Sequence, residues 1–353
     1  MVRQKERKDG LNLDMQAIYL ARKGSPFMAF ETREIPPPNP DAGEIQIKVE
    51  GFGLNFADVL ARRGLYPDAP PMPCVLGYDV VGIVTETAPD VTQFKPGDRV
   101  TAMTHFGGYA EYAVAPALLS AAISDRMTAG EATALTVQYC TAYFAAAESV
   151  NLYPGDKVLI HAASGGVGTA LVQFCKYKKC EIFATAGSDA KLEMLKKAGV
   201  DHAINYITED FSEKIREITG GKGIQVIFDS IGGRTTRKGF QLLAPGGNLI
   251  IYGAASFSGK NIFGKMSNLL GFGFFHPLNI MASSKTITGI NMLKIALSKP
   301  AAFKRCLDNV VKLYEEEIFK PMVGGIFPAS EIGKAHDLLE RRQTSGKITV
   351  MWK

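Results

Sequence analysis

The stretch richest in chemistry is Val158-Leu159-Ile160-His161 followed by Ala162-Ala163-Ser164-Gly165-Gly166-Val167-Gly168. A short apolar run ends in a turn of small residues, and a helical pattern begins at Gly166. Backbone N–H groups at such a helix start face an anion, and the helix dipole adds positive potential there. Glycine at 165 and 168 allows close approach of a pyrophosphate and close packing of helix on strand. A position between strand and helix is the context that this dinucleotide fingerprint requires. Ala163, Gly165, Gly166, Val167 and Gly168 are therefore candidate nucleotide contacts.

The next strand decides which nucleotide. Sites for NAD place Asp or Glu about 20 residues on, where it meets the ribose 2′-hydroxyl. Here the strand ends Ala184-Thr185-Ala186-Gly187-Ser188, so Gly187 holds the acid's position. Nothing there repels a 2′-phosphate, Ser188 can donate to one, and Lys191 brings a positive charge one turn later. The pattern points to NADPH. Asp189 complicates it, since a small shift of alignment would bring its carboxylate to the ribose. Lys191 also suits a solvated helix face.

These loops need a scaffold. From residue 157 onward strands and helices alternate. Strands are predicted at 157–161, 181–185, 202–205, 226–229, 248–252 and 286–290, with helices at 166–179, 189–198, 210–219 and 235–243. Such alternation predicts an α/β fold with a doubly wound parallel sheet. Before it, short strands at 15–20, 44–51, 80–85 and 99–103 with Pro/Gly punctuation predict a β-barrel-like domain. An Ala-rich helix is expected over 129–148. The chain closes with helices at 301–317 and 329–342 and a strand at 346–351.

The chain has 353 residues, 46% apolar and 21% charged, the composition of an ordinary globular protein of about two domains. The net charge of +5 is mild. The one dense basic run is Arg3 to Lys8, interrupted by Glu6, so a nucleic-acid partner is not expected. The five cysteines form no CxxC and are odd in number, which implies a reducing, cytoplasmic setting rather than a disulfide framework. The N-terminus lacks the apolar core of a secretory signal. The longest apolar run, 268–284, is broken by His276, Pro277 and Asn279, so no spanning segment is expected.

The run Gly155-Asp156-Lys157-Val158-Leu159 through Gly168, followed by Gln173 and Lys176, resembles the signature of the zinc-free quinone oxidoreductases, a branch of the medium-chain dehydrogenase/reductases. Gly51-Phe52-Gly53-Leu54-Asn55-Phe56-Ala57-Asp58 with Gly64-Leu65-Tyr66 is similar to their N-terminal segment, closest to the vesicle amine transport protein-1-like members. Thr141-Ala142-Tyr143 matches the start of their cofactor domain. The resemblance implies a GroES-like β domain from residues 15–140 and 294–353, with a Rossmann NADPH-binding domain inserted over 141–293 and residues 1–14 as an N-terminal extension. It also implies a homodimer joined through edge strands, with 286–290 as the candidate edge.

The resemblance assigns roles as well. Asn55 and Asp58 would stand near the nicotinamide and the substrate mouth, and Tyr66 would offer its phenol to the acceptor oxygen. Thr141 would bond near the nicotinamide. Lys191 and Tyr206 would hold the adenosine phosphate, Gly253 would let backbone approach the cofactor, and Arg342 would reach the cleft from the C-terminal segment. Plainer uses remain open: Asn55 and Asp58 also suit a helix cap, Tyr66 and Tyr206 packing, Arg342 a solvated helix end, and His161 a core position. Where zinc-dependent relatives carry Cys and His-Glu, this chain has Asn55-Phe56-Ala57-Asp58 and Tyr78-Asp79, and their four-Cys lobe is missing. No metal is expected.

The implied activity is hydride transfer from NADPH to a small-molecule quinone or conjugated enone, acceptors electrophilic enough to react without a Lewis acid. Two alternatives are an enoyl-thioester reductase and an NADPH-bound binding or membrane-associated protein with little catalysis. The segment 257–281, with Phe257, Phe263, Phe272, Phe274 and Phe275 between glycines, bears on the last. It fits a pocket flap, a dimer interface or core packing, or a membrane-surface patch.

Overall fold

The computed structural model describes residues 14–257 and 262–352. The basic run Arg3 to Lys8, Gly259 and the Phe263 side chain lie outside the described residues.

The expected parallel sheet has six strands in the order His202–Asn205, Glu181–Ala186, Lys157–Ile160, Ile224–Asp229, Leu243–Ile251, Thr286–Gly289. All its pairings are parallel. Its central strands are nearly continuous apolar runs because helices cover both faces. Val158, Ile160 and Phe228 are buried against helix Gly166–Tyr177 on one side, and Leu159, Phe183 and Ile227 against Phe211 and Ile215 on the other. The glycine loop lies at the C-terminal end of the middle strand, where the strand order reverses. That crevice is where ligands bind in open α/β sheets.

The β-rich unit combines both parts of the chain that flank this sheet. Its larger sheet runs Val323–Pro328, Lys347–Met351, Glu44–Leu54, Asp79–Thr87, Arg99–Met103, Ser120–Ala122, with Tyr112–Pro116 also paired to Glu44–Leu54. A three-stranded sheet of Phe30–Ile35, Met15–Leu20 and Cys74–Val75 packs beside it. The late strand Lys347–Met351 runs antiparallel to the early Glu44–Leu54, with Thr349 opposite Gly53. Phe52 stacks on Tyr109 at 4.4 Å, and Trp352 closes on Phe52 at 6.1 Å.

Three differences from expectation have physical causes. Strand Phe30–Ile35 was hidden by its charges, Glu31, Arg33 and Glu34, which an edge strand carries without cost because that face is wet. Strand Val323–Pro328 contains two glycines and a proline, a poor strand signature tolerated at a sheet edge. The helix over 129–148 is not regular. It opens with a capping box between Thr128 and Glu131, then takes π-helical turns at Leu135–Tyr139 and Phe144–Glu148 around Cys140–Tyr143. Such turns often stand at functional sites, and the short α-helical piece between them carries Thr141. The segment 257–281 contains helix Ile262–Gly271 and the start of helix Pro277–Ala282.

Gly168 has the tightest backbone contact in the loop. A Cβ there would lie 2.5 Å from the Ala162 carbonyl oxygen and 2.6 Å from Ala163 Cα, both backbone atoms with no room to rotate away. Gly168→Ala is expected to lower stability by about 1–3 kcal/mol, read as lower Tm and urea midpoint. An unchanged midpoint would mean that the loop yields freely.

Candidate active site

One end of the cleft is built from four separate segments. Gly187 ends strand Glu181–Ala186, and the Tyr206 hydroxyl lies where a Cβ on Gly187 would come within 2.6 Å of it. Helix Asp189–Lys197 starts after Ser188, whose hydroxyl makes no cap bond and is exposed. Lys191 Nζ donates to the Arg342 carbonyl at 2.6 Å, and the Arg342 guanidinium donates to the Ala255 carbonyl at 2.8 Å. Arg342 has φ +57°, in the left-handed region, which turns the chain back after helix Ile332–Glu340. Partial burial, and then the neighbouring Arg342 charge, lower the Lys191 pKa. Neither cation has a carboxylate partner among the described residues. An anion placed here would relieve both.

The Asp189 carboxylate accepts from the Asn205 side chain at 3.1 Å, so its ambiguity resolves toward a surface contact. The structure brings Gly187, Ser188, Lys191, Tyr206 and Arg342 together.

At the glycine loop, Gly165 precedes helix Gly166–Tyr177 without any side-chain cap. The N–H groups of the first turn therefore have no intrahelical acceptor. Gly346 N–H donates to the Ser164 carbonyl at 3.1 Å, which fastens the C-terminal strand to the loop. Gln138 fills the space beside Gly166, and its buried Oε1 has no hydrogen-bond partner. A bare helix start beside an orphaned amide fits a bound dinucleotide. Gly253 lies against Ser230, with a Cβ position 2.7 Å from the Ser230 carbonyl. Thr141 Oγ1 donates back to Val137 O, in the preceding π-helical turn, at 2.6 Å.

The other end of the cleft rests on buried charge. Asn55 caps helix Phe56–Arg62, and Asp58 Oδ2 accepts the Asn55 N–H at 2.8 Å. The cap is thus real, and it is also part of a network. Asn55 Nδ2 donates to Asp79 Oδ1 at 2.8 Å, Lys347 Nζ donates to Asn55 Oδ1 at 3.1 Å, and Lys347 pairs with Asp79. Asp58, Asp79 and Lys347 have no exposed surface, whereas Asn55 retains 6%. Asp58 therefore supports the site from behind rather than touching anything bound. The lysine reaches Asp79 across Gly53, where a Cβ would collide with its stem. Burial pushes the Asp79 carboxyl up, while Lys347 and Asn55 pull it back. Burial likewise drives Asp58 up to about 7.

Sequence reasoning missed Lys347 and gave Asp79 no partner. The available signal was two opposite charges, each at the start of a mostly apolar strand. It also missed the wall built on Tyr66. Tyr66 meets Tyr78 edge-on at 6.2 Å, and Tyr78 packs on Phe106 at 5.0 Å. Asn291, from the parallel-sheet unit, donates to Asp68 at 3.1 Å and closes the cleft beside Tyr66. Burial, then Asp68, raises the Tyr66 phenol pKa, so it remains a proton donor. His161 Nδ1 meets Thr185 Oγ1 at 3.1 Å, deep in the core, with Nε2 unpartnered.

Among the described residues no group of three or more His, Cys, Asp or Glu is placed to hold a metal ion. The polar centre of the barrel is filled by a lysine ammonium and its partners.

Residues 41–125 match the family model described as alcohol dehydrogenase GroES-like domain, and residues 166–312 match that described as zinc-binding dehydrogenase. The chain is 32% identical over 329 residues to the human synaptic vesicle membrane protein VAT-1 homolog, covering 91% of this chain and 82% of the relative. It is 33% identical to a probable quinone oxidoreductase of Schizosaccharomyces pombe, covering 91% and 92%. The crystal structure of Escherichia coli quinone oxidoreductase complexed with NADPH superposes with TM-score 0.84 at 28% identity, covering 96% of this chain and all of that one. The chain belongs to the medium-chain dehydrogenase/reductase superfamily, in the branch of the quinone oxidoreductases and VAT-1 homologues. It is an oxidoreductase of that family by descent and fold.

Two outcomes are expected. Lys347→Met leaves Asp79 buried without its cation and costs roughly 3–5 kcal/mol, whereas pairing it with Asp79→Leu restores most of that loss. Denaturant midpoints of the single and double variants check this. Asp58 is protonated more readily folded than unfolded, so its contribution to stability falls as pH rises from about 4 to 7. Asp58→Asn should flatten that part of the Tm profile, and an unaltered slope would refute the assignment.

Proposed function

We propose that the chain is a zinc-independent, NADPH-dependent reductase that transfers hydride to a quinone or conjugated enone. The observation that carries the cofactor choice is the uncompensated pair Lys191 and Arg342 beside Tyr206 and the acid-free Gly187. Lys191, Arg342, Tyr206 and Ser188 hold the 2′-phosphate, since charge-assisted bonds to phosphate are the strong ones. The backbone of Ala163, Gly165, Gly166, Val167 and Gly168 receives the pyrophosphate, with Gly187 and Gly253 leaving room for the cofactor.

NADPH, when bound, supplies the hydride. The chain's own residues orient and dry the site. Thr141 and Asn55 flank the nicotinamide end, with Asp58 keeping Asn55 in place. Tyr66 donates its phenolic proton as a hydrogen bond to the acceptor oxygen, stabilising charge that develops there. The aromatic wall of Tyr66, Tyr78 and Phe106 suits a flat, conjugated acceptor and excludes water. The reading without zinc rests on the donor set, in which Asn55, Asp79 and Lys347 already satisfy one another.

The reading includes the division into 15–140 with 294–353 and 141–293, and a homodimer. Strand Thr286–Gly289 supports the latter, because it ends the sheet with an unpaired edge. A reducing, cytoplasmic setting accords with five free cysteines, all buried. No helix among the described residues is long and apolar enough to cross a membrane.

Steady-state oxidation of NADPH by a planar ortho-quinone tests the proposal, with NADH, a chelator and crotonyl-CoA as separate arms. Turnover should prefer NADPH and ignore the chelator. Lys191→Ala should raise KM for NADPH about tenfold, as loss of one charge-assisted bond, and leave KM for NADH unchanged. Faster turnover of crotonyl-CoA would instead favour the enoyl-thioester reading, and binding without turnover would remove the enzymatic one.

A further inference from the structure

The last strand of the parallel sheet, Thr286–Gly289, leads directly to the cleft. Ile290 N–H donates to the Ile251 carbonyl at 2.8 Å, and the chain then turns into helix Met292–Ser298. Asn291 stands at that corner as the helix cap, with its Oδ1 accepting the Lys294 N–H at 3.2 Å. Only the oxygen end of the amide can accept that bond, so the side chain cannot flip and Nδ2 is held outward as a donor. It reaches across to the β-rich unit, where it donates to Asp68 Oδ2 at 3.1 Å.

Asp68 is itself held by a turn. Ala69 N–H donates to the Tyr66 carbonyl at 3.2 Å, with Pro67 and Asp68 at the two central positions. The turn keeps the Asp68 carboxylate near the Tyr66 phenol, and the Tyr66 ring packs against both large hydrophobic cores. The other Asp68 oxygen meets Lys294 Nζ at 3.5 Å, an exposed pair of little weight. Burial and then Asp68 raise the Tyr66 pKa, and the Asn291 amide, within donating reach of the phenol oxygen, opposes them. One amide with two N–H bonds thus serves a carboxylate and a phenol that both come from the opposite wall of the cleft.

We propose that Asn291 is a positioning residue for the reduction, keeping the Tyr66 O–H directed at the acceptor oxygen. The inference rests on the quinone or enone reductase reading above. A phenolic hydrogen lies near the ring plane, to one side of the oxygen or the other, and a donor on one side sends it to the other. Asn291, fixed as a donor by its own helix, acts on Tyr66 in this way. The same amide occupies an oxygen of Asp68. Left free, that carboxylate would draw the phenolic hydrogen to itself, because a bond to a charged acceptor is stronger than one to a neutral carbonyl. Both effects leave the single donor of Tyr66 to the substrate oxygen, where charge develops.

Steady-state reduction of a planar ortho-quinone by NADPH, with the full chain and its Asn291→Ser variant, decides the matter. Serine caps a helix about as well as asparagine, so Tm should not change, but it cannot reach Asp68 or Tyr66. The variant should lose about tenfold in kcat, the weight of one hydrogen bond in the transition state, with KM for NADPH unaltered. In a Tyr66→Phe background the same substitution should cost nothing further, since the group that it positions is gone. An undiminished kcat, or an equal loss with and without the Tyr66 hydroxyl, would overturn the inference and leave the reductase reading intact. A wild-type chain that does not turn over would remove that reading, and the inference with it.

Discussion

A fully buried ion pair, Lys347 with Asp79, ties the two distant parts of the β-rich unit to one another at its polar centre, beside the pairing of their strands. Charges without solvent are costly unless they are paired and hydrogen-bonded. Here Asn55 completes the pairing by giving its amide to Asp79 and taking a bond from Lys347. That fixes the start of helix Phe56–Arg62, and through it Asp58. The same strand that carries Lys347 is pinned to the glycine loop by the Gly346–Ser164 bond. The nucleotide loop and the barrel's polar centre are therefore positioned by adjacent residues of one strand.

The cleft has a graded electrostatic character. At one end, the half-buried Lys191 and the exposed Arg342 stand close together with no carboxylate partner among the described residues. At the other, charge is internally neutralised and the wall is aromatic. An anionic, flexible group is favoured at the first and a flat, weakly polar one at the second. This division suits a molecule with a phosphorylated tail and a planar head, and it follows from Gly187 lacking a carboxylate as much as from Lys191 and Arg342 being present.

The parallel sheet was legible because its strands are apolar on both faces and its helices keep a regular period. The glycine loop was legible because its chemistry is local. Gly187, Ser188 and Lys191 also lie within one short stretch. Tyr206 and Arg342 came from the family resemblance, since no local pattern ties them to that stretch. The Lys347–Asp79 pair escaped because each residue looks like a charged start to a mostly apolar strand, and only the antiparallel pairing of both strands, Lys347–Met351 and Asp79–Thr87, with Glu44–Leu54 between them brings the two into contact. The π-helical turns beside Thr141 escaped for a different reason: an Ala-rich run carries no residue type that distinguishes a π turn from an α turn. Strand Val323–Pro328 was hidden by Gly and Pro residues that only an edge position tolerates.

The Lys347–Asp79 contact spans 268 residues of sequence. At about 5–20 residues per second, a ribosome needs roughly 15–50 s to deliver the lysine after the aspartate. Through that interval Asp79 and Asn55 have no cation and cannot be dried. The parallel sheet, by contrast, is drawn from one continuous stretch and can close before synthesis ends. The barrel's polar centre can therefore close only after every strand of the parallel sheet has already been made.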